Sequence, residues 1–277
     1  MSWSATAIDD RSENQAPDGQ SFGHGLRGVA ARAATPLVLV GLWELAARIG
    51  LIPPRTLAPP SEVIGTFWSL LVTGELGHHL LVSLGRVAAG MAIGVVTGVT
   101  LALLSGLSRR GEILIDAPMQ MLRALPFLAL VPLFILWFGI GEEPKIALVA
   151  LGTTFPIYVN LFAGIRGIDA KLVEAASSFG LRRFGLIRHI VLPGALPSFL
   201  VGLRYALAIA WLSLVVAEQI NASSGLGYLI MNARDFLRTD IIVVALIVYA
   251  FLGLGSDLLV RIIEQRALAW RPSFIRS

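Results

Sequence analysis

The sequence predicts an all-α integral membrane protein with about six transmembrane helices. Three observations carry this expectation. Of the 277 residues, 56% are hydrophobic and 14% charged, with a mean hydropathy of +0.76, whereas a soluble domain is about half apolar and about a quarter charged. Six apolar stretches, near 33–51, 84–107, 113–138, 145–165, 194–217 and 241–260, each approach the ~20 residues that cross a bilayer as helix. The basic residues between them fall on one side. Arg11, Arg27, Arg32, Arg109, Arg110, Arg166, Lys171, Arg182, Arg183, Arg188, Arg261, Arg266, Arg271 and Arg276 occupy one set of loops, and only Arg55, Arg234 and Arg238 the other. The positive-inside rule then places both termini in the cytoplasm.

Residues 1–32 are polar and carry Asp9, Asp10, Glu13 and Asp18. A secretory signal opens with a basic segment and an apolar run, so this stretch reads instead as a disordered cytoplasmic tail. Residues 33–80 hold the first transmembrane helix and an amphipathic segment. In that first helix Glu44 precedes Arg48 by four residues, the favourable order for an intrahelical pair. The segment begins at Ile52-Pro53-Pro54 and reaches Pro59-Pro60-Ser61, with Ser61 as N-cap. Val63, Ile64, Phe67, Trp68, Leu70 and Leu71 follow at helical spacing. This helix either lies on the outer membrane interface or packs on the bundle. Residues 81–262 form the transmembrane core and 263–277 a cytoplasmic tail. In the core, Gly90, Gly94 and Gly98 make two consecutive GxxxG steps that admit a close helix neighbour. Pro118, Pro126 and Pro132 interrupt the third stretch and Pro156 the fourth, which suits helices whose freed carbonyls are satisfied inside a bundle.

Composition also excludes functions. With no cysteine there is no disulfide scaffold, thiolate nucleophile or Cys-ligated metal. Lys145 follows Pro144 and Lys171 follows Ala170, so neither lysine completes a Walker A loop. Any ATP used must bind another chain. His78 and His79 lie on different helix faces and His24 and His189 are remote, so no metal site is expected. No Ser/His or HExxH arrangement points to an intramembrane enzyme.

The loop 166–193 is the most informative segment. It reads Glu174-Ala175-Ala176, three residues, Gly180, nine residues, Ile190-Val191-Leu192-Pro193. This pattern describes two short helices with a glycine turn between them. Ala175 and Ala176 offer a small-residue surface that a partner can approach. Leu181, Phe184, Ile187 and Ile190 form an apolar stripe on the second helix, beside Arg182, Arg183 and Arg188. Pro193 stands where a first-turn proline loses no hydrogen bond. From physics alone the loop is equally a membrane-surface helix held by arginines on anionic lipid.

The spacing resembles the EAA loop of bacterial binding-protein-dependent ABC importers, which reads EAA, three residues, G, nine residues, I-x-L-P. Every fixed position is matched, and the loop follows the fourth of six expected spans. The resemblance extends over residues 34–272 and is strongest to the nitrate, sulfonate and taurine group, nearest its aliphatic sulfonate permeases. It is carried by residues 119–126 (MQMLRALP), 136–140 (LWFGI), 155–160 (FPIYVN), 192–198 (LPGALPS), and by Gly227-Tyr228 through 232–236 (NARDF). The acidic 1–32 tail departs from the family. The resemblance implies the type I ABC importer permease fold in a bacterial inner membrane. It implies a homodimer of this chain, two cytoplasmic ABC ATPase subunits, a periplasmic substrate-binding protein and the lipid bilayer as partners, with no nucleic acid. It implies no cofactor on this chain, ATP and Mg being held by the ATPase. It assigns Glu174, Ala175, Ala176, Gly180, Ile190, Leu192 and Pro193 to ATPase coupling. Glu174 is the first candidate for a charged contact, its alternative role being a charge on its own helix dipole.

For an anionic substrate the pathway candidates are Arg123, Thr154, Tyr158, Asn160 and Ser213. Arg123 lies ten residues into the third stretch, roughly 15 Å along a helix. It attracts an anion there, pairs with Asp116 or Asp257, or snorkels to the interface. Arg204 shares the ambiguity. The polar side chains around Pro156 line a path or bond between helices. Ser213, Glu218, Gln219 and Asn221 mark the outer end of the fifth stretch. Gly225, Gly227, Tyr228 and Asn232 follow as candidates for a periplasmic gate or docking surface. The substrate expected from the resemblance is an aliphatic sulfonate, with taurine, nitrate or another small organic anion as alternatives. A secondary carrier without an ATPase accounts for the hydropathy but not for the loop.

Overall fold

The computed structural model describes residues 21–270, without the side chains of residues 21–33, Phe127 and Asn221. The described residues hold helices and connecting turns, with no strand among them. They are α1 (Ser21–Arg48), α2 (Pro60–Val72), α3 (Glu75–Gly106), α4 (Arg109–Ala124), α5 (Leu128–Phe138), α6 (Glu143–Arg166), α7 (Ala170–Ser178), α8 (Arg183–Ile220), α9 (Leu226–Asp235) and α10 (Thr239–Ala267). The tail expected over 1–32 lies outside the described residues up to position 20, and helical backbone already runs from Ser21. The helix α10 continues to Ala267, beyond the expected start of the C-terminal tail at 263.

Four of these helices, α3, α6, α8 and α10, are long and apolar enough to cross a membrane. The third expected span is not one kinked rod. The helices α4 and α5 meet at 84° and form a fifth span only if taken together. Leu125 takes extended backbone (φ −73°, ψ 137°) immediately before Pro126, because the proline ring disfavours the helical region for its predecessor. The first expected span falls within α1, which touches the body through α2.

The centre of the bundle is α6, held between α3 on one side and α8 on the other. Small residues on α3 recur every four positions and let the backbones close. A Cβ at Gly90 would stand 2.6 Å from Val149 Cβ, one at Gly94 would meet Thr153 and the Ala150 carbonyl, and one at Gly98 would stand 2.9 Å from the Thr154 carbonyl. The expected GxxxG seam is therefore internal to the chain. On the opposite side, Gly202 of α8 faces the Pro156 carbonyl of α6 at 2.8 Å by the same measure. The core follows this sandwich, with Val149, Ile157, Ala206, Ala210 and Leu214 buried between α6 and α8.

The helix α2 packs on the bundle, the second reading of its amphipathic pattern. Pro60 is buried, and Val63 and Leu70 are buried in a cluster with Ile241, Val244 and Ala245 of α10, while Ile64, Trp68 and Leu71 face outward. Ser61 is not its N-cap. Pro59 holds that position, and the Ser61 N–H and hydroxyl both donate to the Glu44 carboxylate of α1, at 3.0 and 2.9 Å. A prolyl nitrogen has no proton to cap, so a carboxylate from the preceding helix meets the first free donor. Arg48 Nε donates to the same carboxylate at 2.6 Å, as the spacing predicts.

Gly94→Val introduces a branched carbon bearing two methyl groups into the α3–α6 seam. It is expected to lower the thermal stability of the purified protein by the equivalent of about 1–3 kcal/mol or more. Gly65→Ala on α2, where nothing lies within 4 Å of the added Cβ, is expected to leave it unchanged. Unfolding monitored by size-exclusion chromatography after heating separates the two.

Candidate functional site

Two features stand at opposite ends of the bundle. At one end, the loop between α6 and α8 folds as α7, a turn, and the first turns of α8. Asp169 caps α7, its carboxylate accepting from the Lys171 N–H at 2.9 Å. Glu174 and Ala175 are exposed and Ala176 is buried. The helix closes at Gly180, which takes φ +85°, with the Leu181 N–H returning to the Ala176 carbonyl at 3.2 Å. This left-handed closure needs glycine. The second short helix does not stand alone. It runs straight into the span as α8 through a π turn at Ile187–Val191, just ahead of Pro193. Ile190 and Pro193 are half-buried and Leu192 is exposed. Phe179 and Phe184 are 89% and 74% exposed, so the loop carries an apolar surface pointing away from the bundle.

At the other end lies a buried charge cluster. Glu218, near the end of α8, is 1% exposed, and Arg86 of α3 is 4% exposed. Arg86 Nη1 donates to Glu218 Oε1 at 2.6 Å and to the Ser224 carbonyl at 2.6 Å. Ser83 Oγ donates to Glu218 at 2.8 Å and accepts from the Leu226 N–H at 2.9 Å. The Gly227 N–H donates to Glu218 Oε2 at 2.8 Å, and the Gly225 N–H to His79 Nδ1 at 3.0 Å. The first N–H groups of α9 are thus met by buried acceptors from α3 and α8, which satisfies the orphan donors of a helix start. The other edge of Arg86 pairs bidentately with Glu142, through Nη2 at 2.7 Å and through Nε, and Lys145 Nζ reaches the same carboxylate at 3.2 Å. The Arg86 hydrogen bond holds the Glu142 carboxyl down at about 2. Two cations and two carboxylates leave the cluster neutral, which is how buried charge persists in a low-dielectric core.

The glycines of this segment fit here and nothing larger does. Gly225 has φ +116°, and a Cβ on Gly227 would stand 2.6 Å from Glu218 Cβ and 2.8 Å from the Val215 carbonyl. Tyr228 lies against the His79 ring, centroids 5.8 Å apart, and Asn232 is exposed.

The pathway candidates are dispersed. Arg123 is exposed, with no ion pair among the described residues. Asp116 bonds Tyr158 and Gln120, and Asp257 pairs with Arg204 and Arg261. Thr154 bonds Thr97 Oγ1 at 2.8 Å and the Ala150 carbonyl at 2.7 Å. Tyr158 is fully buried, its hydroxyl donating to Asp116 at 3.0 Å. Asn160 bonds the Pro156 carbonyl at 2.8 Å, and Ser213 the Ile209 carbonyl at 2.7 Å. Arg204 ties α8 to α10 through Asp257 and Glu264. Sequence reasoning noted Glu218 but missed Arg86, Ser83, Glu142 and Lys145. The available signal was Arg86 itself, a cation about three turns into α3 at the head of its apolar run.

A bundle of apolar spans, a helical loop projecting an apolar surface from one end, and a closed polar cluster at the other define a polytopic membrane protein. The chain belongs to the family of binding-protein-dependent transport system inner membrane components, which matches residues 90–268. It is 52% identical over 239 residues to the aliphatic sulfonates transport permease protein SsuC of Escherichia coli (strain K12), covering 86% of this chain and 91% of that one. It is 44% identical to SsuC of Bacillus subtilis (strain 168), over 86% of this chain and 87% of that one. It is 33% identical to the taurine transport system permease protein TauC of Escherichia coli (strain K12), over 88% and 90%. Among solved structures it resembles an amino acid ABC transporter crystallised with histidines, with TM-score 0.59 and 18% identity over 73% of this chain and 96% of that one. An inward-facing MetNI methionine ABC transporter gives TM-score 0.51 at 18% identity, over 65% and 92%. The fold is that of the ABC importer permeases.

Glu218→Ala strands Arg86 half-paired in the core. It is expected to cost about 3–5 kcal/mol of stability, whereas Arg86→Met combined with Glu218→Leu costs less than the sum of the two single changes. A double-mutant cycle on thermal unfolding measures this coupling. Glu142 has its carboxyl pulled down, so its pairing stabilises the fold fully above the ordinary value of 4.5 and is lost as pH falls toward about 2. The unfolding midpoint of Glu142→Gln is therefore expected to lie below wild type by a constant margin from pH 8 to pH 5, a margin that shrinks below pH 4.

Proposed function

We propose that this chain is the membrane-spanning subunit of an ABC importer for aliphatic sulfonates. The observation that carries it is the 52% identity to an aliphatic sulfonate permease over most of both chains. The taurine permease, at 33%, supports a small sulfonate more broadly and makes taurine the second substrate to test. On this reading the chain sits in the bacterial inner membrane with both termini cytoplasmic, as the loop arginines favour. It pairs as a homodimer, receives ligand from a periplasmic binding protein, and is driven by two cytoplasmic ATPase subunits that hold ATP and Mg.

The loop residues Glu174, Ala175, Ala176, Gly180, Ile190, Leu192 and Pro193 then act as the lever. The exposed Phe179 and Phe184 supply apolar surface for an ATPase cleft, and Glu174 a charged contact. Because the loop's second half is continuous with α8, a displacement of the loop moves a whole span. ATP binding favours one arrangement of the two halves and hydrolysis the other, a two-state rigid-body switch biased by differential binding. On this reading Arg123, Thr154, Tyr158, Asn160 and Ser213 line the pathway, and Gly225, Gly227, Tyr228 and Asn232 form the outer gate.

Uptake of labelled ethanesulfonate, with taurine and nitrate as competitors, tests the reading in cells with and without this chain and with active or inactive ATPase. Uptake is expected to need both and to resist nitrate. Persistence with an inactive ATPase would mean a secondary carrier. Glu174→Lys or Gly180→Pro is expected to lower uptake about 5- to 150-fold, the span of a typical coupling free energy, with the chain still inserted. Arg123→Ala is expected to reduce uptake more than it reduces dimer yield.

A further inference from the structure

Two buried cations at the outer mouth of the bundle are turned toward an exposed carboxylate. The side chains of Arg86 and Lys145 are 3% and 6% exposed, while that of Glu142, which joins them, is 54% exposed. Arg86 presents Glu142 with the Nε and Nη2 edge of its guanidinium. Two parallel N–H donors in that fork match any planar or tetrahedral oxyanion, a sulfonate as well as a carboxylate. Arg86 is held in place without Glu142, and Lys145 by the backbone of the turn that carries Glu142. Arg86 Nη1 stays on Glu218 and the Ser224 carbonyl, and Lys145 Nζ donates to the Gly141 carbonyl at 2.8 Å. The anion is the movable partner. Glu142 stands on the short turn between α5 and α6, which is entered through Gly139 at φ +78°. With the Glu142 side chain swung out, Arg86 keeps Glu218 while Lys145 loses its one ion-pair partner among the described residues, and the unpaired cation calls for an anion.

We propose that Arg86 and Lys145 form an outer relay site for an oxyanion headgroup, and that Glu142 is a displaceable internal ligand that fills it between transport events. The headgroup is a sulfonate if the function proposed above holds, and the assignment rests on that reading. The surroundings suit an amphiphile. Ile93, seven residues beyond Arg86 and roughly 10 Å along α3, lines an open, largely apolar groove of about 600 Å³ together with Ile146, Ala150 and Thr154 of α6 and Phe134 of α5, with the Glu143 carboxylate as its one charged group. The head is held on the cations and an alkyl tail lies along the groove.

The test is direct binding of labelled ethanesulfonate to the transporter complex in lipid nanodiscs, without the binding protein, with inorganic sulfate and nitrate as competitors. A plugged site binds with its affinity reduced by the fraction of time it stands open, so Glu142→Ala is expected to bind about tenfold tighter than wild type or better. Adding Lys145→Ala is expected to remove the gain. Glu142→Gln, nearly isosteric, gives a smaller gain and serves if Glu142→Ala does not yield monodisperse complex. A Glu142 variant that is monodisperse and binds none of the three anions tighter than wild type overturns the relay, as does a gain that survives Lys145→Ala. Wild-type uptake of ethanesulfonate is measured in parallel. Normal uptake with no gain in the variants rejects the relay and leaves the importer. A gain for sulfate and nitrate without one for ethanesulfonate keeps an oxyanion site and rejects the sulfonate.

Discussion

Lipid tails are as apolar as leucine, so a bilayer gives transmembrane helices no hydrophobic reason to pair. Association depends on how closely backbones can approach. In this protein that approach is made along α6, where Gly90, Gly94 and Gly98 of α3 close on one face and Gly202 of α8 on the other. The other long elements are arranged around this three-helix sandwich. The helix α10 joins it through α8, and α2 and α9 pack on α10. Any side chain in the glycine row would separate the backbones and remove the dispersion contacts that replace the hydrophobic effect here.

The second constraint is electrostatic. A carboxylate and a guanidinium buried at the end of the bundle survive because each has several partners. Glu218 accepts from Ser83, Arg86 and the Gly227 N–H, and Arg86 also serves Ser224 and Glu142. The pair is a weak source of net stability compared with apolar packing, but a strong specifier of geometry, since losing one partner leaves the other charged and unpaired. It fixes where α9 begins and ties α3, α6, α8 and α9 together at that end.

The two ends of the molecule therefore differ in kind. One is cross-linked by charge and backbone hydrogen bonds. The other presents α7 on an exposed loop, joined to the bundle by a left-handed glycine turn and a π turn. A loop continuous with a membrane helix, acting on a bundle whose far end is clamped, transmits motion as rigid bodies rather than as local deformation. That mechanical arrangement is what the proposed importer cycle uses.

Hydropathy, loop charge and the glycine spacing determined the fold class, the approximate spans and the existence of a tight helix seam, because those properties are local or periodic along the chain. The Glu174 to Pro193 spacing was likewise legible, as was the Glu44–Arg48 pair, since both are fixed by helical repeat. Only the tertiary structure decided which helix fills the seam, since a small-residue stripe states that something comes close but not what. It also decided the 84° bend at Pro126, where a proline in sequence is compatible with a kink or a break. Above all it assembled Ser83, Arg86, Glu142, Lys145 and Glu218. These residues lie up to 135 positions apart, and their charges cancel only once three helices bring them together. The sequence shows isolated ions in apolar stretches. Pairing is a property of three-dimensional proximity, and no period in the chain encodes it.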